Sequence, residues 1–119
     1  MTNKPSVQVE IARPAARDLK YLSKKYPRAL DDVMGLIGRL QNGETPGDQI
    51  PGVGFTVYKT RIKSSDLAKG KSSGYRVIYY IRAADHIILV AIYIKSQQVD
   101  IIAEEIRRII NEYEQQQKL

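Results

Sequence analysis

A chain of 119 residues with 43% apolar content suffices for one domain around one core, too short for two ordinary domains and too apolar for a disordered tail. A net charge of +6 and a pI near 9.6 favour a polyanionic partner, whether RNA, DNA, an acidic protein or a membrane surface. The absence of cysteine excludes a disulfide framework and a thiolate zinc site.

Met1 to Ser6 carry no apolar signal core, and the longest apolar run, Ile87 to Ile94, has eight residues, far short of a bilayer span. The expectation is a soluble, cytoplasmic protein, with residues 1–119 forming a single domain.

In chain order, Val7, Val9 and Ile11 alternate with Gln8, Glu10 and Ala12, the pattern of a half-buried strand. Pro14 suits a first helical turn, and Ala15, Leu19, Leu22 and Tyr26 follow at helical spacing. Pro27 breaks that helix. Leu30, Val33, Ile37 and Leu40 form a second stripe that Gly43 stops, so the two segments predict an antiparallel helical hairpin. Gly43 to Gly54 is dense in turn residues and reads as a loop. Phe55 to Lys63 is a basic strand, Ser64 to Gly74 a flexible connection, and Tyr75 to Arg82 a second strand. Ala83-Ala84-Asp85 is a tight turn before a last strand, His86 to Lys95. The latter two strands are apolar on both faces, so they belong in the middle of a sheet, with Tyr75, Tyr79 and Tyr80 packed in the core. Ile102, Ile106, Ile109, Ile110 and Tyr113 predict a C-terminal helix, with its start between Ser96 and Asp100, which offer capping oxygens.

Most catalytic templates fail. The only histidine, His86, falls at the predicted hairpin turn and reads as a solvated side chain, which argues against a histidine-dependent triad or a histidine-pair ribonuclease. Gly70-Lys71-Ser72 lacks the upstream glycine of a phosphate loop. Asp66, Asp85 and Asp100 are scattered over loops and turns and suggest no metal site; no cofactor is implied.

What remains is cationic chemistry. Residues two apart on a strand share a face, so Lys59, Arg61 and Lys63 point one way at intervals of roughly 6–7 Å, near phosphate spacing on an extended nucleic acid. Arg76 opens the next strand, and Tyr93 and Lys95 share a face on the last. Should these strands be neighbours in register, the side chains converge. A basic edge strand kept soluble by its charges fits the same pattern, and core packing fits Tyr93. A converged site has one reaction open to it without metal: in-line attack of a ribose 2′-hydroxyl on its own 3′-phosphodiester. That reaction needs a base, an acid and positive charge for the transition state. Arginine binds phosphate bidentately, and a lysine crowded by cations becomes a base.

Three segments carry a resemblance: Val57-Tyr58-Lys59-Thr60-Arg61-Ile62-Lys63-Ser64-Ser65-Asp66, Lys69-Gly70-Lys71-Ser72-Ser73-Gly74-Tyr75-Arg76-Val77-Ile78-Tyr79-Tyr80, and Ile92-Tyr93-Ile94-Lys95-Ser96. Together with Ala15 and Asp18-Leu19 they resemble the RelE/ParE superfamily of toxin–antitoxin toxins, most closely its RelE branch, over nearly the whole chain. The resemblance implies an α+β fold of order β-α-α-β-β-β-α: a curved antiparallel sheet with an N-terminal helical hairpin and a C-terminal helix. It implies a metal-independent mRNA interferase that cuts message in the ribosomal A site by the 2′-hydroxyl route and is neutralised by a cognate antitoxin in a hetero-oligomer.

Carried onto this chain, Lys59 and Arg61 match two basic positions of the family's second strand. Arg61 replaces a lysine, which moves a lysine base to Lys59, Lys63 or Lys69. Arg76 matches the family's phosphate-binding arginine after Gly-Tyr. The family's arginine beyond the last strand and its tyrosine near the C-terminal helix are missing; Ser96-Gln97-Gln98 and Ile101 stand there. Tyr93 and Lys95 are the candidates to replace them. The resemblance and the pattern of charges together give Lys59, Arg61, Arg76 and Tyr93 as the expected catalytic residues, and Lys63, Lys69, Lys71 and Lys95 as the expected RNA-binding residues. A ParE-like inhibitor of DNA gyrase that cuts nothing is the alternative, and an inactive nucleic-acid-binding relative a third reading, since fold alone does not decide function.

Overall fold

Alternation at the N-terminus produces strand β1 (Gln8–Ile11), and Pro14 sits in the first turn of helix α1 (Arg13–Lys25). The computed structural model describes residues 6–66, 74–95 and 100–118. Tyr26 to Arg28 separate α1 from helix α2 (Ala29–Gln41), as Pro27 predicts, and Gly43 ends the pair with φ of 91°. Strands β2 (Asp48–Gln49), β3 (Val57–Ile62), β4 (Tyr75–Ala83) and β5 (His86–Tyr93) follow, then helix α3 (Ala103–Gln117).

The five strands form one open sheet in the order β1-β5-β4-β3-β2. β4 and β5 occupy interior positions, as their two-sided apolar sequences require. One sheet face packs on α1 and α2 through Leu19, Leu22, Val33, Leu40, Val77, Tyr79 and Leu89. The other packs on α3 through Ile78, Tyr80, Ile88, Val90, Ile106 and Ile110. This division is what sorts β3 to β5 into a helical-hairpin face and an α3 face.

The α+β architecture matches the expected one, with differences of detail. β2 to β5 are antiparallel, but β1 runs parallel to β5, pairing Gln8 with His86 and Ile11 with Leu89. Alternation reveals a strand's faces and says nothing of its direction. The loop after Gly43 contains the two-residue strand β2, opposite Tyr58 and Lys59. Gly47, at φ of 94°, lets this loop lie against the Lys59 carbonyl, where any Cβ would collide, and the Tyr79 hydroxyl donates to the Pro46 carbonyl at 2.5 Å. Leu30 is half exposed, its expected core place being taken by Ala29 and Leu36. A stripe read by spacing alone is uncertain by one residue at a helix end. Helix α3 begins at Ala103, and its N-cap, Ile102, is exposed and makes no side-chain cap. The predicted capping role of Asp100 is not realised; Asp100 points to the sheet instead.

Polar contacts fasten α3 from its second turn onward. Arg82 makes two 3.0 Å bonds to the Glu114 carboxylate, which also accepts from the Tyr80 hydroxyl at 2.7 Å. Arg107 donates to the Val53 and Gly52 carbonyls at 2.9 Å. The Tyr113 hydroxyl donates to Glu10 at 2.7 Å, and His86 contacts the same carboxylate. His86 is therefore not the solvated turn residue expected: β1, running alongside β5, brings Glu10 to it.

Gly74, at φ of 149°, turns the chain into β4, and a Cβ there would lie 2.5 Å from the Ile62 carbonyl oxygen. Gly74→Ala is expected to lower the urea midpoint by the equivalent of about 1–3 kcal/mol. Glu10 titrates below the ordinary glutamate range because Tyr113, then His86, bond its charged form. The stability it lends is thus present above the unfolded-state pKa and lost as pH falls through the lower folded-state value. Tyr113→Phe removes the larger cause and should raise the pH at which acid unfolding, followed by circular dichroism, sets in.

Candidate active site

The sheet register puts Arg61 of β3 directly opposite Arg76 of β4, and Arg76 directly opposite Tyr93 of β5. Directly opposed residues share a face, so the three side chains form one line across three strands. It lies on the α3 face, because Tyr93 packs in the α3 cluster and the intervening Val77 and Ile92 pack on the other side. Lys59, two residues before Arg61 and opposite Ile78, shares that face.

Burial divides the line. Arg76 is 6% exposed and Tyr93 is 3% exposed, whereas Arg61, Lys63 and Lys95 are exposed and Lys59 is intermediate. The site therefore has a sealed inner end and an open outer one. Nη1 of Arg76 is buried with no hydrogen-bond partner among the described residues. A buried donor of a charged group calls for a partner, which a bound water, an ion or a ligand can supply. Its cation faces Tyr93.

Asp100 completes the cluster. The Tyr93 hydroxyl donates to its Oδ1 at 2.9 Å, and Lys59 Nζ stands 3.6 Å from its Oδ2. The Tyr93 phenol is pushed up to about 12, chiefly by burial and then by the bond to the Asp100 carboxylate. The Asp100 carboxyl is held below the usual range, first by that bond and then by the charges of Lys59 and Lys95. Near neutral pH the pair is a neutral phenol donating to a carboxylate. Lys59 thus has a carboxylate beside it, on the face it shares with Arg61.

Arg61 and Lys63 also border a groove of about 380 Å³ with Asp31, Asp32 and Arg39 of α2. Behind it, the chain leading out of β3 is pinned to the helices. The Ser65 backbone N–H and hydroxyl donate to Asp32 at 2.8 and 2.5 Å, and Arg28 N–H donates to Asp66 at 2.8 Å. Lys69 and Lys71, expected to bind RNA, lie outside the described residues, as do Ser96 to Val99.

Of the residues picked from sequence, the structure brings together Lys59, Arg61, Arg76 and Tyr93, with Lys63 and Lys95 at the margins. Asp100 joins them, although its spacing to α3 marks it in the sequence as a cap. The available signal was its isolation: it is the only acidic residue between Asp85 and Glu104, five residues after Lys95. Among the described residues no three histidine or carboxylate side chains gather as a metal-ligand set.

Residues 20–118 match the family model described as RelE toxin of the RelE / RelB toxin-antitoxin system. No curated protein and no solved structure matches the chain significantly. No helix among the described residues is long and apolar enough to cross a membrane.

If Arg76 is held for a ligand and not for the fold, its loss should not harm folding. Arg76→Met, which removes the unpaired donor while filling similar space, is expected to keep or raise the urea midpoint. A fall of more than about 2 kcal/mol would show that the guanidinium is a structural element.

Proposed function

The chain belongs to the RelE toxin family, and from that premise we propose that it is a ribosome-dependent endoribonuclease that cleaves mRNA in the A site and is held inactive by a cognate antitoxin. The observation that carries this reading is the Arg61–Arg76–Tyr93 line with Lys59 on the same face and an unpaired guanidinium nitrogen at its buried end. Family membership supports a toxin with an antitoxin partner; cleavage, the ribosome and a cytoplasmic site of action are this proposal's own extension.

In the proposed reaction the scissile phosphate lies across the open end of the line. Arg76 lends its positive charge from the buried side, and Arg61 contacts the phosphate from the exposed side. As the ribose 2′-oxygen closes on phosphorus, charge builds on the equatorial oxygens, and the two guanidiniums stabilise it most where water is excluded. The Lys59 ammonium supplies a proton to the departing 5′-oxygen. Tyr93, a neutral phenol, serves as a fixed hydrogen-bonding group and not as a base. Lys63, Lys69, Lys71 and Lys95 bind flanking phosphates and ribosomal RNA, which makes association salt-dependent. The excess of positive charge suits an acidic antitoxin equally.

The test is to induce the protein without an antitoxin and map message ends in cells beside Arg76→Ala. Growth arrest with new breaks at A-site codons is expected, falling about 10²–10³-fold in the variant. Arrest with intact message and damaged DNA would overturn the nuclease reading in favour of gyrase inhibition.

A further inference from the structure

Resting on the nuclease reading, we propose that Asp100 is the general base that takes the proton from the attacking 2′-hydroxyl, so that this chain performs with a carboxylate the step that a crowded lysine would otherwise perform.

In-line attack needs a group that is unprotonated near neutral pH and within reach of the phosphate bound by Arg61 and Arg76. Arginine does not give up its proton. Tyr93 holds its own and donates it to Asp100. Lys59 stands beside a carboxylate. His86 pairs with Glu10 at the other end of β5, seven residues and about 23 Å along the strand from Tyr93. Among the described residues of the cluster, Asp100 alone is a ready acceptor. Its side chain is 44% exposed, so a substrate hydroxyl can reach it. Oδ1 is tied to Tyr93 and Oδ2 is the freer oxygen, with Lys59 at 3.6 Å, beyond ordinary hydrogen-bond length.

The charged and titratable groups facing this carboxylate are Lys59 from β3, Tyr93 from β5 and Lys95 just beyond it, with Arg76 of β4 behind Tyr93. They hold Asp100 ionised, which makes it a weak base that is always in the right state. The proton balance closes within the cluster. The 2′-hydroxyl proton passes to Asp100 Oδ2, the bond from the 2′-oxygen to phosphorus forms, and the bond from phosphorus to the 5′-oxygen breaks. The 5′-oxygen takes a proton from Lys59. The products are a 2′,3′-cyclic phosphate and a 5′-hydroxyl. Asp100, now protonated, and Lys59, now neutral, then restore each other by a single transfer across their shared gap.

Single-turnover cleavage of message on programmed ribosomes tests this, with wild type, Asp100→Asn, Asp100→Glu, Tyr93→Phe and the Asp100→Asn/Tyr93→Phe pair, from pH 6 to pH 9. Expected are a flat wild-type rate over this range, a loss of about 10²–10⁴ in Asp100→Asn with unchanged ribosome binding, and partial recovery in Asp100→Glu. The double variant should be slower than Tyr93→Phe alone. A wild-type rate rising tenfold per pH unit, Asp100→Asn within threefold of wild type, or a double variant equal to Tyr93→Phe would each overturn the base assignment and leave the nuclease reading standing. Intact message with wild type and Arg76→Ala alike would instead overturn the nuclease reading itself, and the assignment with it.

Discussion

A guanidinium placed on the inner face of a sheet, between aliphatic neighbours and under a helix, is the constraint from which the rest of this molecule can be understood. Arg76 occupies a position where Val77 and Ile78 beside it are fully buried. A charge there is tolerated only if the neighbouring strands bring it polar company or leave it a path to solvent. Pairing meets only the second condition in full: β5 supplies Tyr93, whose hydroxyl goes to Asp100, and β3 supplies a like charge, Arg61, on the side that opens to water. A register slip of one residue would turn Arg76 into the apolar layer beneath α1 and α2 and expel Val77 from it. The charged site and the hydrophobic core therefore specify the same strand alignment.

The two sheet faces divide the labour. On the helical-hairpin side ring and aliphatic packing dominates, with Tyr58 stacked on Tyr79 at 5.6 Å and Tyr26 edge-on to Tyr75 at 6.2 Å, and α1 adds a bond in which Asp18 accepts from the Ile92 N–H at 3.0 Å. On the α3 side apolar packing gives way to polar contacts at both ends. At one end Arg82, Glu114, Tyr80, Tyr113, Glu10 and His86 satisfy one another. At the other, Lys59, Tyr93 and Asp100 do so only in part, and Arg76 less still. The contrast between a closed polar network and an open one on the same face is what singles out the second as the place for a ligand.

Much of this was legible in the residues. The order of strands and helices followed from periodicity and from Pro14, Pro27 and Gly43, each of which constrains the backbone in a known way. The central place of β4 and β5 followed from their two-sided apolar runs. Lys59, Arg61 and Lys63 could be put on one face because a strand alternates strictly. What the sequence withheld was long-range partnership. That β1 lies parallel to β5, and so hands Glu10 to His86, depends on a pairing across the whole chain. Asp100 has the spacing of a capping residue; its real partner, Tyr93, stands seven residues earlier on a strand, a pairing that no periodicity describes. Leu30 was misplaced for a smaller reason: at a helix start a stripe has no preceding turn to anchor its phase.

The start of α3 has no side-chain cap, and its N-cap Ile102 stands in water, while the helix is moored from Arg107 onward to the carbonyls of Val53 and Gly52 and to the distant sheet end. From Ile106, which is fully buried, to Glu114 the helix is seated on the sheet. Asp100 lies upstream of this seated span, so its carboxylate is fixed by Tyr93 and not by the helix, and a change at the cluster need not disturb the apolar layer that α3 covers.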